Sequence, residues 1–251
     1  MTAFPLRTPA DAIRDDARPT QQRGIALLLF VTGCLSLSPI PILGPAIGWP
    51  GSLGAPAATQ LVGIGQSPTA VTLGYSLYLL YSILVLPALA MAAHGLLPAR
   101  TRWLVMLVAA FAALSTLARC IGILRWLTVM PVLSQAHAVA DPAQRERIEL
   151  VFTALNAYGG GVGELLGVSL FGGLALLLLA VGAAACAALP RWLSGMGVLA
   201  GMANLALFLP PMGIPFAPPV AVAVSLSSLW MWSLAAWWFW RARRGQAVVP
   251  A

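Results

Sequence analysis

The chain has 251 residues, of which 60% are hydrophobic and 8% charged, and its net charge of +7 is carried on the basic side by arginine alone. A soluble domain has about a quarter of its residues charged, so this composition excludes an ordinary water-exposed surface. It also argues against a nucleic-acid partner, because the arginines sit beside apolar runs and form no basic stripe.

Residues 1–23 are polar, with Arg7, Arg14, Arg18 and Arg23 partly balanced by Asp11, Asp15 and Asp16. The apolar run that follows is too long for a signal-peptide core, so 1–23 is expected to be an uncleaved cytoplasmic tail. From Gly24 to Ala99 there is no Asp, Glu, Lys or Arg, and the same holds from Trp192 to Trp240. Such stretches are readily accommodated in lipid, where crossing takes about 20 apolar residues.

Six spans are expected on that measure. The first, 24–48, carries Pro39, Pro41 and Pro45 in its second half and should kink or unwind there. A Gly-, Pro- and Ala-rich loop is predicted to follow as far as Ser67. The second span, 71–96, ends near His94, and the third, 103–126, is bracketed by Trp103 and Trp126, whose 23 steps cover about 34 Å, as expected of an indole at each interface. Residues 131–149 are polar, with Asp141-Pro142 as a helix start, and should lie outside the bilayer. From Ile148 to Leu189 the apolar pattern runs for 42 residues, about 63 Å as one helix, so a break is predicted at Gly159, Gly160 and Gly161, with a fourth span over 162–188. The fifth and sixth spans are predicted at 193–213 and 219–240, with a basic tail over 241–251. The fold class is therefore an all-α membrane protein, a polytopic bundle of six transmembrane helices over 24–240.

Arginine placement orients the bundle, since positive loops stay cytoplasmic. With the N-terminus inside, the inner segments hold Arg7, Arg14, Arg18, Arg23, Arg100, Arg102, Arg191, Arg241, Arg243 and Arg244, and the outer loops hold Arg145 and Arg147. Both termini are thus expected in the cytoplasm, with the chain in the inner, plasma membrane.

An ionised side chain within the hydrocarbon costs about 2.5–3.5 kcal/mol on insertion scales, so each requires a reason. Arg119 lies 16 residues beyond Trp103, roughly 24 Å from the inner interface, and Arg125 about 9 Å further out. Glu164 precedes Pro190 by 26 residues, about 39 Å, and so falls at a depth similar to that of Arg125. Two readings stand side by side. In one, Arg119, Arg125 and Glu164, with Asn156, Tyr158, Tyr75, Tyr78 and Tyr81, form an outward polar cavity that suits an anionic head group. In the other, the charges are a structural ion pair between the third and fourth spans and the tyrosines anchor the interface.

Gly159, Gly163 and Gly167 make a small-xxx-small ladder, repeated by Gly197 and Gly201, and Asn204 is placed for an interhelical hydrogen bond. Cys34, Cys120 and Cys186 lie in apolar segments without metal-binding spacing, and His94 and His137 are the only histidines. No disulfide, metal or cofactor is expected from them. Nor does the chain carry a GxSxG, HExxH or phosphate-loop motif.

Residues Phe152-Thr153-Ala154-Leu155-Asn156-Ala157-Tyr158-Gly159, then Gly163-Glu164-Leu165-Leu166-Gly167 with Phe171-Gly172-Gly173, and Leu189-Pro190-Arg191-Trp192-Leu193 leading to Gly195 and Gly197, resemble an uncharacterised bacterial integral-membrane family, domain of unknown function 4386. The resemblance covers about residues 100–210. It implies a six-helix membrane fold and transfers no catalytic residue, substrate or cofactor. Three functions remain in view: binding or transport of a small anionic or amphipathic molecule, a membrane-embedded lipid-modifying enzyme with Glu164 as acid or base, and a non-catalytic subunit or scaffold. The expected partners are membrane lipid and a small-molecule ligand.

Overall fold

A computed structural model describes residues 9–215 and 220–244, with side chains from Thr20 onward. The described elements are all helical: α1 Pro9–Leu37, α2 Pro39–Ile47, α3 Ala57–Gln66, α4 Pro68–Leu96, α5 Arg102–Leu127, α6 Val129–Val139, α7 Pro142–Gly160, a π-helical segment Gly161–Gly172, α8 Gly173–Ala185, α9 Arg191–Ala206 and α10 Val220–Arg243. Helix α1 reaches back into the polar 1–23 region, whose first eight residues, like 245–251 of the basic tail, lie outside the described part.

The proline-rich half of the first span breaks as its sequence demands. Ser38 returns its hydroxyl to the Leu35 carbonyl, and Pro39 starts α2 at a position where its missing N–H costs nothing. The expected loop after it is largely helical. Its 3-10 turn Gly51–Gly54 and helix α3 are tied by Gln60, whose amide donates to the Ala55 carbonyl at 2.8 Å. Helix α7 begins where Asp141-Pro142 predicts, with the Asp141 carboxylate accepting from the Gln144 N–H at 2.8 Å.

Helices α1 and α10 pack antiparallel. Ser36 meets Ser228 near one end, while Ile25 and Trp238 both close on Gly95 near the other. Leu97 and Leu104 close on Gly182 at that same end. It therefore gathers Arg23, Arg100, Arg102, Arg191 and the α10 arginines, and is called the basic end here. At the opposite end α2, α3, α6 and α7 form a cap, with the Ser134 hydroxyl of α6 donating to the Leu61 carbonyl of α3 at 2.7 Å.

Two cores follow from this layout. The larger joins α1, α4, α5, α8, α9 and α10 around Leu29, Val108, Leu179, Leu193 and Trp230. The smaller lies under the cap around Leu43, Tyr75, Trp126, Met130 and Phe152. Tyr78 packs against both. Leu27, Phe30, Met106, Leu117, Leu199 and Leu229 point outward from four helices. Outward-facing apolar side chains on this scale suit lipid and not water.

Five helical stretches among the described residues are long and apolar enough to cross a membrane: residues 20–47, 68–96, 99–139, 142–185 and 220–243. The expected fifth span, 193–213, takes a different form. Helix α9 has 16 residues, about 24 Å, and passes into a 3-10 turn at Pro210–Met212. It nevertheless runs from the basic end back toward the cap between α8 and α10. Gly197 admits Ala180 and Trp230, Gly201 lies on the Leu177 backbone, and the Asn204 amide donates to Ser227 at 2.9 Å.

The break expected at Gly159 to Gly161 does not occur. Residues 142–185 form one helical stretch of 44 residues, and the conflict between its length and the bilayer is resolved by α7 joining the cap. Gly159 instead makes room for Arg125, and Gly163 serves close approach to α5. A Cβ on Gly163 would stand 2.9 Å from the Gly122 Cα, and one on Gly122 would stand 2.6 Å from the Gly163 Cα. Trp126 is a second departure. It is 3% exposed and stacked on Tyr75 with ring centroids 4.8 Å apart, so it is a core side chain and not an interface anchor, whereas Trp103 does face outward.

Candidate functional site

Where the two cores part, the bundle encloses a cavity of about 630 Å³. Its floor is formed by buried Arg119 and Ser169, with Tyr75 and Trp126 in the buried wall. Exposed residues of its rim include Pro50, Glu164, Pro210, Pro211 and Val220. It therefore opens toward the cap end. Below Arg119 the same helix closes on the larger core through Ser115, Ala112 and Val108, each fully buried.

Helix α5 supplies both arginines, and the structure separates their roles. Arg125 has a partner for each guanidinium nitrogen. Nε donates to Asn156 at 3.2 Å, Nη1 donates to the Gly122 carbonyl at 2.7 Å, and Nη2 lies 3.6 Å from a Glu164 carboxylate oxygen. Its stem lies where a Cβ on Gly159 would stand 2.4 Å from Cδ, so the glycine is what lets α7 close over it. Three nitrogens on three elements make Arg125 a clamp between α5, α7 and the π segment. The Glu164 side chain keeps about half of its surface open at the rim.

Arg119 is held otherwise. The residue is 5% exposed, and its Nη1 donates to the Tyr81 hydroxyl at 2.8 Å. Nε has no hydrogen-bond partner, and no carboxylate among the described residues pairs with the guanidinium. The π segment shapes its slot. A Cβ on Gly172 would stand 2.7 Å from Nη2, one on Gly167 would stand 2.9 Å from Cγ, and the Gly167 carbonyl instead accepts from the Ser115 hydroxyl at 2.7 Å. Wide i to i+5 turns carry Ser169 round to the cavity, its hydroxyl donating to the Glu164 carbonyl at 3.1 Å.

The tyrosines are wall and not anchors. Tyr75 is 2% exposed, and its hydroxyl is a second buried polar group without a partner. Tyr78 stacks on Tyr81 with centroids 5.7 Å apart and meets the edge of Trp49 at 6.2 Å. Of the residues singled out in the sequence, Arg119, Arg125, Glu164, Tyr75 and Tyr78 line the cavity, and Asn156 touches it only through Arg125. Tyr158 does not join them, being 71% exposed on the outer face of α7. Trp49, Leu207, Pro210, Pro211, Val220 and Val224 also line it and were not expected as site residues from sequence. They are apolar, come from segments far apart in the chain, and carry no motif.

His137 pairs with Glu149 at 2.9 Å in the cap, away from the cavity lining. Among the described residues no group of three or more His, Cys, Asp or Glu side chains is placed to hold a metal.

The family model described as Domain of unknown function (DUF4386) matches residues 25–241. The chain belongs to this DUF4386 family. The match extends well beyond the region of about 100–210 that carries the resemblance in sequence, and takes in every helix that lines the cavity. No curated protein and no solved structure matches the chain.

Proposed function

We propose that this DUF4386 protein binds a small anionic or amphipathic molecule in the cavity above Arg119, with transport of that molecule as the wider activity. The observation that carries the proposal is the state of Arg119. Guanidinium is charged at all relevant pH, and burying it without a carboxylate is costly. Its Nε and the Tyr75 hydroxyl are both buried, unpartnered and able to donate, and both residues line one cavity. Buried polar groups are paired in the great majority of proteins. A guanidinium without a carboxylate partner, in a cavity whose wall holds a further spare donor, is suited to an oxyanion.

Within this reading α9 is a short sixth crossing, so that 24–240 is a six-span bundle in the inner membrane with both termini cytoplasmic. Support comes from the arginines gathered at one end and from the course of α9 from that end to the cavity rim. The cavity then faces the outer side. The Arg125 clamp supports a structural role for the Arg125–Glu164 pair, whereas Arg119 has no such explanation. The enzyme and scaffold readings draw on fewer features of the site.

Titration of purified protein in phosphatidylcholine nanodiscs with a panel of organic carboxylates and phosphates tests the proposal. At least one anion binds, and Arg119→Leu weakens it tenfold or more while the matching cation shows no binding. Equal affinity for the same anion in wild type and Arg119→Leu would remove the proposal's basis.

A further inference from the structure

We infer that the ligand is a single-chain amphiphile with a carboxylate head, held head-down on Arg119, with its alkyl chain against the 207–211 turn and the start of α10. The inference rests on the anion-binding reading above and narrows it.

The charge balance selects the head group. Glu164 stands against Arg125, so the cavity's one uncompensated charge is that of Arg119. A single positive charge matches a carboxylate. A phosphate monoester carries about −1.5 to −2 at neutral pH, and its second charge would meet Glu164 at the rim without a cation of its own.

The opposite wall selects the tail. Leu207, Pro210, Pro211, Val220 and Val224 have no polar side-chain atom. On the 207–211 side the backbone has little to offer either. Pro210 and Pro211 have no N–H, and the Phe208, Leu209, Met212 and Gly213 N–H groups donate to carbonyls within the same stretch at 2.9 to 3.2 Å. Side chains without a polar atom, on a turn whose N–H groups are already used, are matched by hydrocarbon.

Depth agrees with this. The 16 residues of α9 cover about 24 Å of a hydrocarbon layer about 30 Å thick. Gly173 lies against Leu205, and neighbouring Gly172 lies against the Arg119 head, so the end of α9 is level with the floor of the cavity. The turn that follows therefore sits at acyl-chain depth, where irregular backbone is tolerated only if its polar groups are satisfied. The volume of about 630 Å³ is that of a site enclosing one drug-sized molecule, which accommodates one alkyl chain.

The test is calorimetric titration of the full chain in phosphatidylcholine nanodiscs, corrected with empty discs, using decanoate, acetate, decanol and decyl phosphate. Decanoate is expected to bind at least tenfold more tightly than acetate or decyl phosphate, with decanol undetected. Val224→Trp, which fills the tail wall, weakens decanoate at least tenfold and leaves acetate within twofold. Val224→Ser puts a hydroxyl on the tail wall without adding bulk, and weakens decanoate about threefold or more even if the tryptophan variant fails to fold. Acetate binding as tightly as decanoate overturns the tail assignment and leaves the anion site standing. Decanol matching decanoate in both wild type and Arg119→Leu overturns the carboxylate-head assignment and the anion site together.

Discussion

Gly163→Val lowers the thermal midpoint of the bundle by about 10 °C or prevents its assembly altogether. A Cβ at this position stands 2.9 Å from the Gly122 Cα, and both partners are backbone, so no side chain can swing aside. Overpacking typically costs about 1–3 kcal/mol when side chains can yield, and here the helices themselves would have to separate. At a few degrees per kcal/mol for a chain of this size, about 3 kcal/mol gives the stated shift. The consequence extends to the cavity, because Gly122, Gly163 and Gly167 set the distance between α5 and the π segment that seats Arg119. Gly195→Ala is the matched control. Nothing lies within 4 Å of a Cβ there, and the midpoint stays within about 2 °C or rises, because alanine is the better helix former. Fluorescence-detected size exclusion on a heating series reads both variants. A Gly163→Val protein as stable as the control would show that the close approach of α5 and the π segment is not required.

Arg119→Leu raises the thermal midpoint of the ligand-free protein while it abolishes anion binding. A structural arginine behaves in the opposite way, since removing one partner of a buried pair destabilises by about 3–5 kcal/mol. Arg119 has no such pair. Its substitution gives up a charge-assisted hydrogen bond to Tyr81 and the stacking of the guanidinium on that ring at 5.4 Å, together worth about 2 kcal/mol. In exchange it removes a guanidinium that costs about 2.5–3.5 kcal/mol within the hydrocarbon. The net is a gain of roughly 0.5–1.5 kcal/mol, or a few degrees in the midpoint. Arg125→Leu moves the other way, because it leaves Asn156, the Gly122 carbonyl and Glu164 without their shared donor. Differential scanning fluorimetry of the two variants, with no added anion, separates the cases. A loss of stability in Arg119→Leu equal to that in Arg125→Leu would make both arginines scaffold.

The parts of the fold that follow from long-range hydropathy are legible in the chain. Apolar runs of bilayer length mark the spans, Pro39 breaks the first of them, and Asp141 starts α7 by its own carboxylate. Depth counted at 1.5 Å per residue also places Arg125 level with Glu164, and the two are paired in the bundle. What is not legible depends on tertiary contact. Helix α3 looks like loop because the sequence around it is rich in Gly, Pro and Ala, and its helicity is supported by packing on α6. Gly159 to Gly161 read as a break because glycine weakens an isolated helix, yet the stretch stays helical, and at Gly159 an absent side chain is what Arg125 requires. Trp126 reads as an interface anchor from its position in the span, but its indole turns inward onto Tyr75. The apolar half of the cavity, from Trp49 to Val224, has no local signature because its residues converge only through the fold.

If anion binding proceeds as proposed, Arg119 lies at the floor of a cavity open to the outer side. Ser169 is a buried cavity residue in the π segment, and a thiol there reports access directly. In a background with Cys34, Cys120 and Cys186 changed to alanine, Ser169→Cys is treated with a membrane-impermeant anionic methanethiosulfonate. Modification is expected from outside intact cells, faster than with the cationic reagent of similar size, and slowed at least fivefold by decanoate. Modification only in inverted membrane vesicles, or at a rate indifferent to reagent charge and to decanoate, would rule out an outward anion-binding cavity.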